Sequence, residues 1–180
     1  MIRPDKVVLA KKMIQASNSK VTIGTVIDFP LGNGTLEDKL AEAKQAIEEV
    51  QNAGIQVVMI TGDRKETAVA IAKEAGLLKS KSDVALTSEE LNKMSDDEVK
   101  SIIPNLRVIA RALPTDKSRM VRLAQELNLV CGMTGDGVND APALKRADVG
   151  FAMGSGTDVA KEAGAIVILD DNFKSIENAI

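Results

Sequence analysis

The sequence contains no histidine, tryptophan or tyrosine, and it has one cysteine, Cys131, and three phenylalanines. This inventory excludes a His-based catalytic triad, a disulfide framework and the usual Cys and His ligands of zinc. No apolar run approaches the ~20 residues that span a bilayer. The sequence therefore predicts a soluble, cytoplasmic chain whose chemistry depends on carboxylates, lysine, hydroxyls and the backbone.

Charge of neither sign dominates, because 26 acidic residues stand against 23 basic ones for a net charge of −3. Without a basic field, neither nucleic acid nor an anionic membrane is expected as a partner. A length of 180 residues suits one domain with a core of its own. We expect a single domain over 1–180.

Short β-branched runs alternate with segments of helical periodicity. The runs are 21–28, 55–61, 107–110, 129–134, 149–153 and 165–169. Helix starts are indicated by the capping patterns Asp63-x-x-Glu66, Thr87-x-x-Glu90 and Ser95-x-x-Glu98, and by Pro114. This alternation predicts an α/β fold with a doubly wound parallel sheet covered on both faces, a three-layer Rossmann-like arrangement.

Three polar segments each follow a predicted strand or open a predicted helix: Thr61-Gly62-Asp63, Lys117, and residues 134–140. Free N–H groups at such positions bind anions, and the segments together predict one phosphate site. Asp136 would supply an oxygen ligand for Mg²⁺. Asp140 and Asn139 would support that metal site from behind, and Lys117 would contact a phosphoryl oxygen.

Each of these residues also has a purely structural interpretation. The glycines serve turns, Lys117 is a solvated surface lysine, and Asp63 and Asp140 cap helices. Taken singly, each residue favours that interpretation. Their shared placement after strands favours the phosphate site.

The motifs MITGD (59–63), ARALPTDKS (110–118) and MTGDGVNDAPAL (133–144) resemble the phosphorylation domain, or P domain, of cation-transporting P-type ATPases. The resemblance extends over about 46–180 and implies a haloacid-dehalogenase-like fold in which the first and fourth predicted strands are neighbours. It implies that Thr61, Gly62, Lys117 and Asn139 bind phosphate. It also implies that Asp136 ligates Mg²⁺ with Asp140 behind it.

One part of the family pattern is missing. The Asp-Lys-Thr-Gly-Thr loop, whose Asp carries the phosphoryl group in this family, does not occur in the 180 residues. Neither the nucleotide-binding insertion nor the membrane helices of such a pump are recognisable. We therefore expect no intact pump and no covalent catalysis through the usual nucleophile.

Residues from about 4 to 47, including VVLAKKMIQASNSKV and TVIDFPLGNGT, resemble a β/α unit of deoxyribose-phosphate aldolase. No lysine matches that enzyme's Schiff-base lysine, so aldolase activity is not expected. The two resemblances predict an engineered or recombined chimera in which about 1–47 is joined to about 48–180.

Three functions compete. The first is a non-catalytic scaffold that retains a partial Mg²⁺ and phosphate site. The second is a weak Mg²⁺-dependent phosphatase or autophosphorylating domain, with Asp28 at the end of the first strand as a surrogate nucleophile. The third is a binding module, in which the loop 29–34 holds a sugar phosphate or the site holds a free nucleotide.

Overall fold

A computed structural model describes residues 22–25, 36–171 and 175–176 of the chain, with side chains from residue 43 onward. Asp28 and the loop 29–34 lie outside the described residues. The segment that resembles an aldolase is thus represented by one strand and the start of one helix.

The described residues form seven strands. They are β1 (Thr22–Thr25), β2 (Gln56–Ile60), β3 (Val84–Thr87), β4 (Leu106–Ala110), β5 (Cys131–Gly135), β6 (Val149–Met153) and β7 (Ile166–Ile168). The α-helices are α1 (Leu36–Asn52), α2 (Lys65–Glu74), α3 (Ser88–Asn92), α4 (Asp96–Ile102), α5 (Pro114–Glu126), α6 (Ala141–Arg146) and α7 (Asp158–Ala163). Two 3₁₀ turns lie at Ile103–Asn105 and Val138–Asp140.

All seven strands join one parallel sheet in the order β3-β4-β2-β1-β5-β6-β7. The predicted neighbourhood of the first and fourth strands is confirmed, because β1 pairs with β5 from Thr22↔Cys131 to Thr25↔Thr134. On its other side β1 pairs with β2, where Thr25 is level with Met59. The doubly wound α/β prediction is therefore confirmed.

Helices cover the sheet on both faces because alternate strand residues are apolar in both directions. Val57 and Met59 of β2 face α1 and α2, whose buried residues include Ile47 and Ala72. The opposite face of β2 packs beneath α3, α4 and α5. Farther along the sheet, α6 and α7 pack with β5 and β6 in a separate apolar cluster.

Strand β3 was missed by the sequence analysis, which predicted only the helix starts at Thr87 and Ser95 in this region. Its four residues, Val84–Thr87, are all half-buried, and the pairing with β4 carries a register shift between Val84 and Ala85. A short, irregular edge strand of this kind gives little periodic signal. The two helices after it were predicted, and both capping boxes at Thr87 and Ser95 are confirmed.

The capping prediction at Asp63 was wrong. Helix α2 begins after Arg64, which makes no side-chain capping bond. The Asp63 carboxylate instead accepts a hydrogen bond from the Thr61 hydroxyl at 3.0 Å. In the part of the chain that the structure describes, no helix is both long and apolar enough to cross a bilayer.

Candidate functional site

The carboxyl ends of three adjacent strands bring the predicted phosphate residues to one edge of the sheet. Thr25 at the end of β1 is level with Met59 of β2 and with Thr134 of β5. Thr61 and Asp136 each lie two residues beyond those partners. The central strand β1 thus ends between the Thr61 loop and the Asp136 loop, where doubly wound folds bind ligands.

The Thr61 loop is a backbone turn held by its neighbour, the segment after β4. Thr61 N–H donates to the Ile109 carbonyl at 2.9 Å, and Ala112 N–H donates to the Thr61 carbonyl at 2.9 Å. Arg111, at a positive φ of 53°, donates its N–H to the Asp63 carbonyl. The N–H of Thr61 is therefore already engaged, contrary to the expectation that it would face a phosphate.

The Gly62 N–H, by contrast, has no hydrogen-bond partner among the described residues. A Cβ built at Gly62 meets nothing within 4 Å. Both observations are compatible with close approach of an anion to the backbone at this position.

Lys117 lies in the first turn of α5 and forms an ion pair with Asp140. The distance from Lys117 Nζ to Asp140 Oδ1 is 2.5 Å, and the two side chains are 13% and 4% exposed. The second oxygen of Asp140 accepts from Asp136 N–H at 3.2 Å and Gly137 N–H at 3.1 Å. One carboxylate therefore joins Lys117 to the loop that carries Asp136.

Close packing fixes the loop after β5. A Cβ on Gly135 would lie 2.4 Å from Asp140 Cβ, so only glycine fits there without a shift of Asp140. From the other side, Thr157 N–H donates to the Asp136 carbonyl at 2.7 Å. Gly156 lets the two segments approach, since its Cβ would meet that same carbonyl oxygen at 2.7 Å. Sequence reasoning gave Gly156 and Thr157 no role.

Asp116, one residue before Lys117, is a 1% exposed carboxylate that the sequence analysis did not single out. Its Oδ2 accepts from Leu113 N–H at 2.8 Å and its Oδ1 from the Asn92 side-chain amide at 2.9 Å. The partner Asn92 lies on α3, 24 residues earlier. No local sequence pattern predicts a contact between residues so far apart in the chain.

The strongest charge effect near these loops is at Glu90 of α3. The Lys65 ammonium group, at 2.7 Å, and the Thr87 N–H lower the pKa of Glu90 from 4.5 to about 2. Lys65 opens α2 directly after the Thr61 loop. Helix α3 therefore has one contact toward α2 and another toward α5.

Among the described residues there is no group of three or more Asp, Glu, His or Cys that could hold a metal ion. The carboxylate best placed for Mg²⁺ is Asp136, which is half-buried at the strand end. Mg²⁺ is commonly bound through one or two carboxylates, with waters and phosphate oxygens completing the octahedron. The donor set fits such an ion, provided that a phosphoryl group and water supply the other ligands.

The remaining site residues have different outcomes. Asn139 is exposed in the 3₁₀ turn Val138–Asp140, and its role in phosphate binding stays a prediction. Asp140 does lie directly behind Asp136, but both of its oxygens are engaged by Lys117 and the backbone. Asp28 lies three residues after Thr25, outside the described residues.

A family model described as haloacid dehalogenase-like hydrolase matches residues 18–148, and a second model with the same description matches residues 121–180. The chain belongs to the haloacid dehalogenase-like hydrolase family. Its parallel sheet, with Thr61, Lys117 and Asp136 at one edge, is the family's fold.

Within this family the chain is similar to P-type ATPases. It is 46% identical over 173 residues to "Calcium-transporting ATPase 1" of Lactococcus lactis, which covers 95% of the chain and 20% of that protein. A calcium-transporting ATPase of Bacillus subtilis is 44% identical over 179 residues, covering 99% of the chain and 19% of that protein. The chain thus spans about one fifth of the length of these relatives.

Solved structures agree with the sequence relatives. A zinc-transporting PIB-type ATPase, described in its E2.Pi state, aligns with a TM-score of 0.57 and 32% identity over 77% of the chain and 18% of that structure. The catalytic domain of the CPx-ATPase CopB-B aligns with a TM-score of 0.55 at 24% identity, which supports the fold alone. The haloacid dehalogenase-like chain is therefore similar to the P domain of P-type ATPases.

The comparisons give no support to the resemblance with deoxyribose-phosphate aldolase. The matches with the two bacterial calcium-transporting ATPases cover 95% and 99% of the chain, so they include most of residues 4–47. A joint between two parents near residue 47 stays a prediction that these matches do not favour.

Proposed function

We propose that the chain is a P-domain-like unit that binds a phosphoryl group together with Mg²⁺ at the carboxyl edge of β1, β2 and β5. The register of β1 carries the proposal, because its end lies between the loops of Thr61 and Asp136. The ion pair of Lys117 with Asp140 adds a cation that is fixed to the Asp136 loop. The proposed location is the cytoplasm.

Each residue has a distinct part in this proposal. The Gly62 N–H and the Lys117 ammonium group bind phosphoryl oxygens, and Asp136 is the protein ligand of Mg²⁺. When bound, the metal neutralises charge on the phosphoryl group. Asp140 holds Lys117 and the Asp136 loop at a fixed separation, and Asn139 lies at the exposed rim of the site.

By itself this unit is proposed to be a non-catalytic scaffold. The 180 residues contain no Asp-Lys-Thr-Gly-Thr sequence, which carries the nucleophile in the P domains that the chain resembles. Phosphoryl transfer to protein needs a nucleophile in line with the phosphorus atom. Engineered origin is compatible with this proposal but is not needed for it.

A second candidate function follows from the position of Asp28 in the sequence. Strand β1 ends at Thr25 between the two loops, and three residues farther along the sequence Asp28 supplies a carboxylate. In this alternative its oxygen attacks the phosphorus of an acyl phosphate, the bond from phosphorus to the acyl oxygen breaks, and a carboxylate leaves. Water then attacks phosphorus, which releases inorganic phosphate and restores Asp28.

Two measurements on the folded chain separate these functions. The first is calorimetric titration with inorganic phosphate, with and without Mg²⁺, for the wild type and Asp136→Ala. The second is intact-protein mass after incubation with acetyl phosphate and Mg²⁺, with Asp28→Asn as an added variant.

The scaffold proposal expects saturable phosphate binding that requires Mg²⁺ and Asp136, and no covalent adduct. A phosphoryl adduct that both substitutions abolish would instead establish the Asp28 alternative. Phosphate binding that does not depend on Mg²⁺ would favour a binding module for sugar phosphates or nucleotides. Absence of both phosphate binding and an adduct would refute the scaffold and the Asp28 alternative.

A further inference from the structure

The short helix α3 contacts the first residue of α2 and two residues of α5, although it contributes no residue to the phosphate site. We propose that α3 acts as a brace between α2 and α5, and that Asn92 is a positioning residue for Lys117. The inference rests on the proposed function, since it concerns where Lys117 lies relative to the phosphate-binding backbone.

The contact of α3 with α2 is an ion pair. Lys65 Nζ lies 2.9 and 2.7 Å from the two oxygens of Glu90, so the pair is bidentate. Lys65 is four residues after Thr61 in the sequence and is the first residue of α2. Because the two side chains are 33% and 47% exposed, this contact is the weaker of the two.

The contact of α3 with α5 is buried at its far end. Asn92 donates its side-chain amide to the 1% exposed carboxylate of Asp116 at 2.9 Å, and also to the Ser88 carbonyl at 2.8 Å. A buried carboxylate that loses a donor is costly, since no water replaces it. Asn92 is therefore strongly coupled to the orientation of Asp116.

Arg119 strengthens the same junction from α5. Its guanidinium donates to the Leu91 carbonyl of α3 at 3.0 Å and to the Met94 carbonyl at 2.8 Å. It also pairs with Asp96 at 2.9 Å. Helix α3 is thus fixed on α5 at its carboxyl end by groups from two consecutive turns.

The orientation of Asp116 affects Lys117 because the two residues are adjacent in the first turn of α5. Asp116 accepts the Leu113 N–H and thereby sets the first turn of α5, and Lys117 is the next residue. Lys117 in turn pairs with Asp140 behind the Asp136 loop. Loss of the Asn92 amide would free Asp116 to rotate away from Leu113, which would change the start of α5 and displace the ammonium group.

The test uses the full chain with four variants. Asn92→Ala removes the amide, and Asp116→Asn leaves one of the two donors facing another donor. The double variant N92D/D116N reverses the polarity of the bond between the two positions, because the new amide at 116 donates to the new carboxylate at 92 while still accepting Leu113 N–H. It does not replace the bond that the Asn92 amide donates to the Ser88 carbonyl. Val50→Ala, a buried change on α1, lowers stability in an apolar cluster that contains no residue of α3 or α5.

Two readouts are taken well below the unfolding temperature. One is the dissociation constant of inorganic phosphate with Mg²⁺, and the other is the ¹⁵N NMR signal of the Lys117 ammonium group without ligand. Asn92→Ala should weaken phosphate binding roughly 10-fold, as loss of an orienting outer partner does in metal sites. It should also shift or broaden the Lys117 signal, and N92D/D116N should restore both readouts in part, since the bond to the Ser88 carbonyl stays lost.

The inference is overturned if Asn92→Ala leaves the Lys117 signal as it is in Val50→Ala, or if N92D/D116N restores no part of either readout. A wild-type chain that binds no phosphate, but whose Lys117 signal still depends on Asn92, would refute the proposed function and keep the brace. Normal phosphate binding with a Lys117 signal that does not change in Asn92→Ala would keep the proposed function and refute the brace.

Discussion

Lys117 and Asp140 are joined by an ion pair of 2.5 Å that links the first turn of α5 to the loop after β5. The carboxylate is more deeply buried than the ammonium group and has more partners, since it also accepts two backbone N–H groups. The two ends of the pair therefore differ in how much structure depends on them.

We expect Asp140→Ala to be more destabilising than Lys117→Ala. Removal of one partner of a buried ion pair costs about 3–5 kcal/mol. Asp140→Ala also leaves the N–H groups of Asp136 and Gly137 without that acceptor, whereas Lys117→Ala leaves a carboxylate that still has both. Urea unfolding of the two variants measures the difference, and equal costs would contradict this ranking.

Substitution by alanine should affect stability differently at two glycines of the site. Gly135→Ala places a Cβ 2.4 Å from Asp140 Cβ, so it should destabilise the fold by about 1–3 kcal/mol through overpacking. Gly62→Ala meets nothing within 4 Å and should change stability by less than about 0.5 kcal/mol. Chemical denaturation of both variants provides the comparison.

Phosphate titration of the same two proteins adds a functional contrast. Gly62→Ala should weaken phosphate binding while it keeps the wild-type stability, because the added methyl group occupies space beside the unpartnered Gly62 N–H. If phosphate binds that variant as tightly as the wild type, Gly62 has no part in anion binding.

The strands and the edge where the polar loops meet were accessible from sequence because they follow from local patterns, whereas the pairing of the first and fourth predicted strands was implied by the resemblance to P domains. Buried β-branched runs and Gly-rich turns specified β2, β4, β5 and β6, and capping boxes located α3 and α4. Chain topology then required Thr61 and Asp136 to share an edge. Local reasoning failed at β3, whose four half-buried residues carry no clear alternation.

Contacts between distant segments could not be predicted from the sequence, for a different reason. Asn92 reaches Asp116 across 24 residues, and Lys117 reaches Asp140 across 23. No periodicity encodes such pairs, which depend on how α3 and α5 pack on the sheet. The Asp63 capping box failed because the Thr61 hydroxyl competes for the same carboxylate.

Arg111 is held in a left-handed backbone conformation, with φ of 53°, beside the Thr61 loop. This conformation costs a residue with a Cβ about 1–2 kcal/mol, and glycine avoids the cost at the expense of greater freedom when unfolded. Arg111→Gly should therefore raise the free energy of unfolding by up to about 1 kcal/mol.

The matched control for Arg111→Gly is Asn128→Gly, at φ of 59° after α5. Asparagine tolerates the left-handed region better than arginine does, so the gain at position 128 should be smaller. Thermal and urea unfolding measure both changes. A loss of stability in Arg111→Gly would mean that the arginine side chain contributes more than its backbone costs.

The stability that the contact between α2 and α3 contributes should depend on pH through the protonation of Glu90. Its pKa is about 2 in the folded chain, against an ordinary 4.5, chiefly because Lys65 donates to the carboxylate and secondly because the Thr87 N–H does. A lowered folded pKa stabilises the fold above pH 4.5, and this stabilisation is lost as the pH falls from 4.5 to about 2.

The size of this effect is limited by solvent. A shift of this extent would nominally correspond to about 3 kcal/mol, but Glu90 is 47% exposed and its partner 33%, so about 1 kcal/mol or less is expected. The difference in unfolding free energy between the wild type and Glu90→Gln should be constant near neutral pH and shrink below pH 4.5. Glu66→Gln, an exposed change on α2, removes the same charge as a control. A difference that grows on acidification would show that protonated Glu90 is preferred in the folded chain, and that the ion pair with Lys65 does not hold α3 against α2.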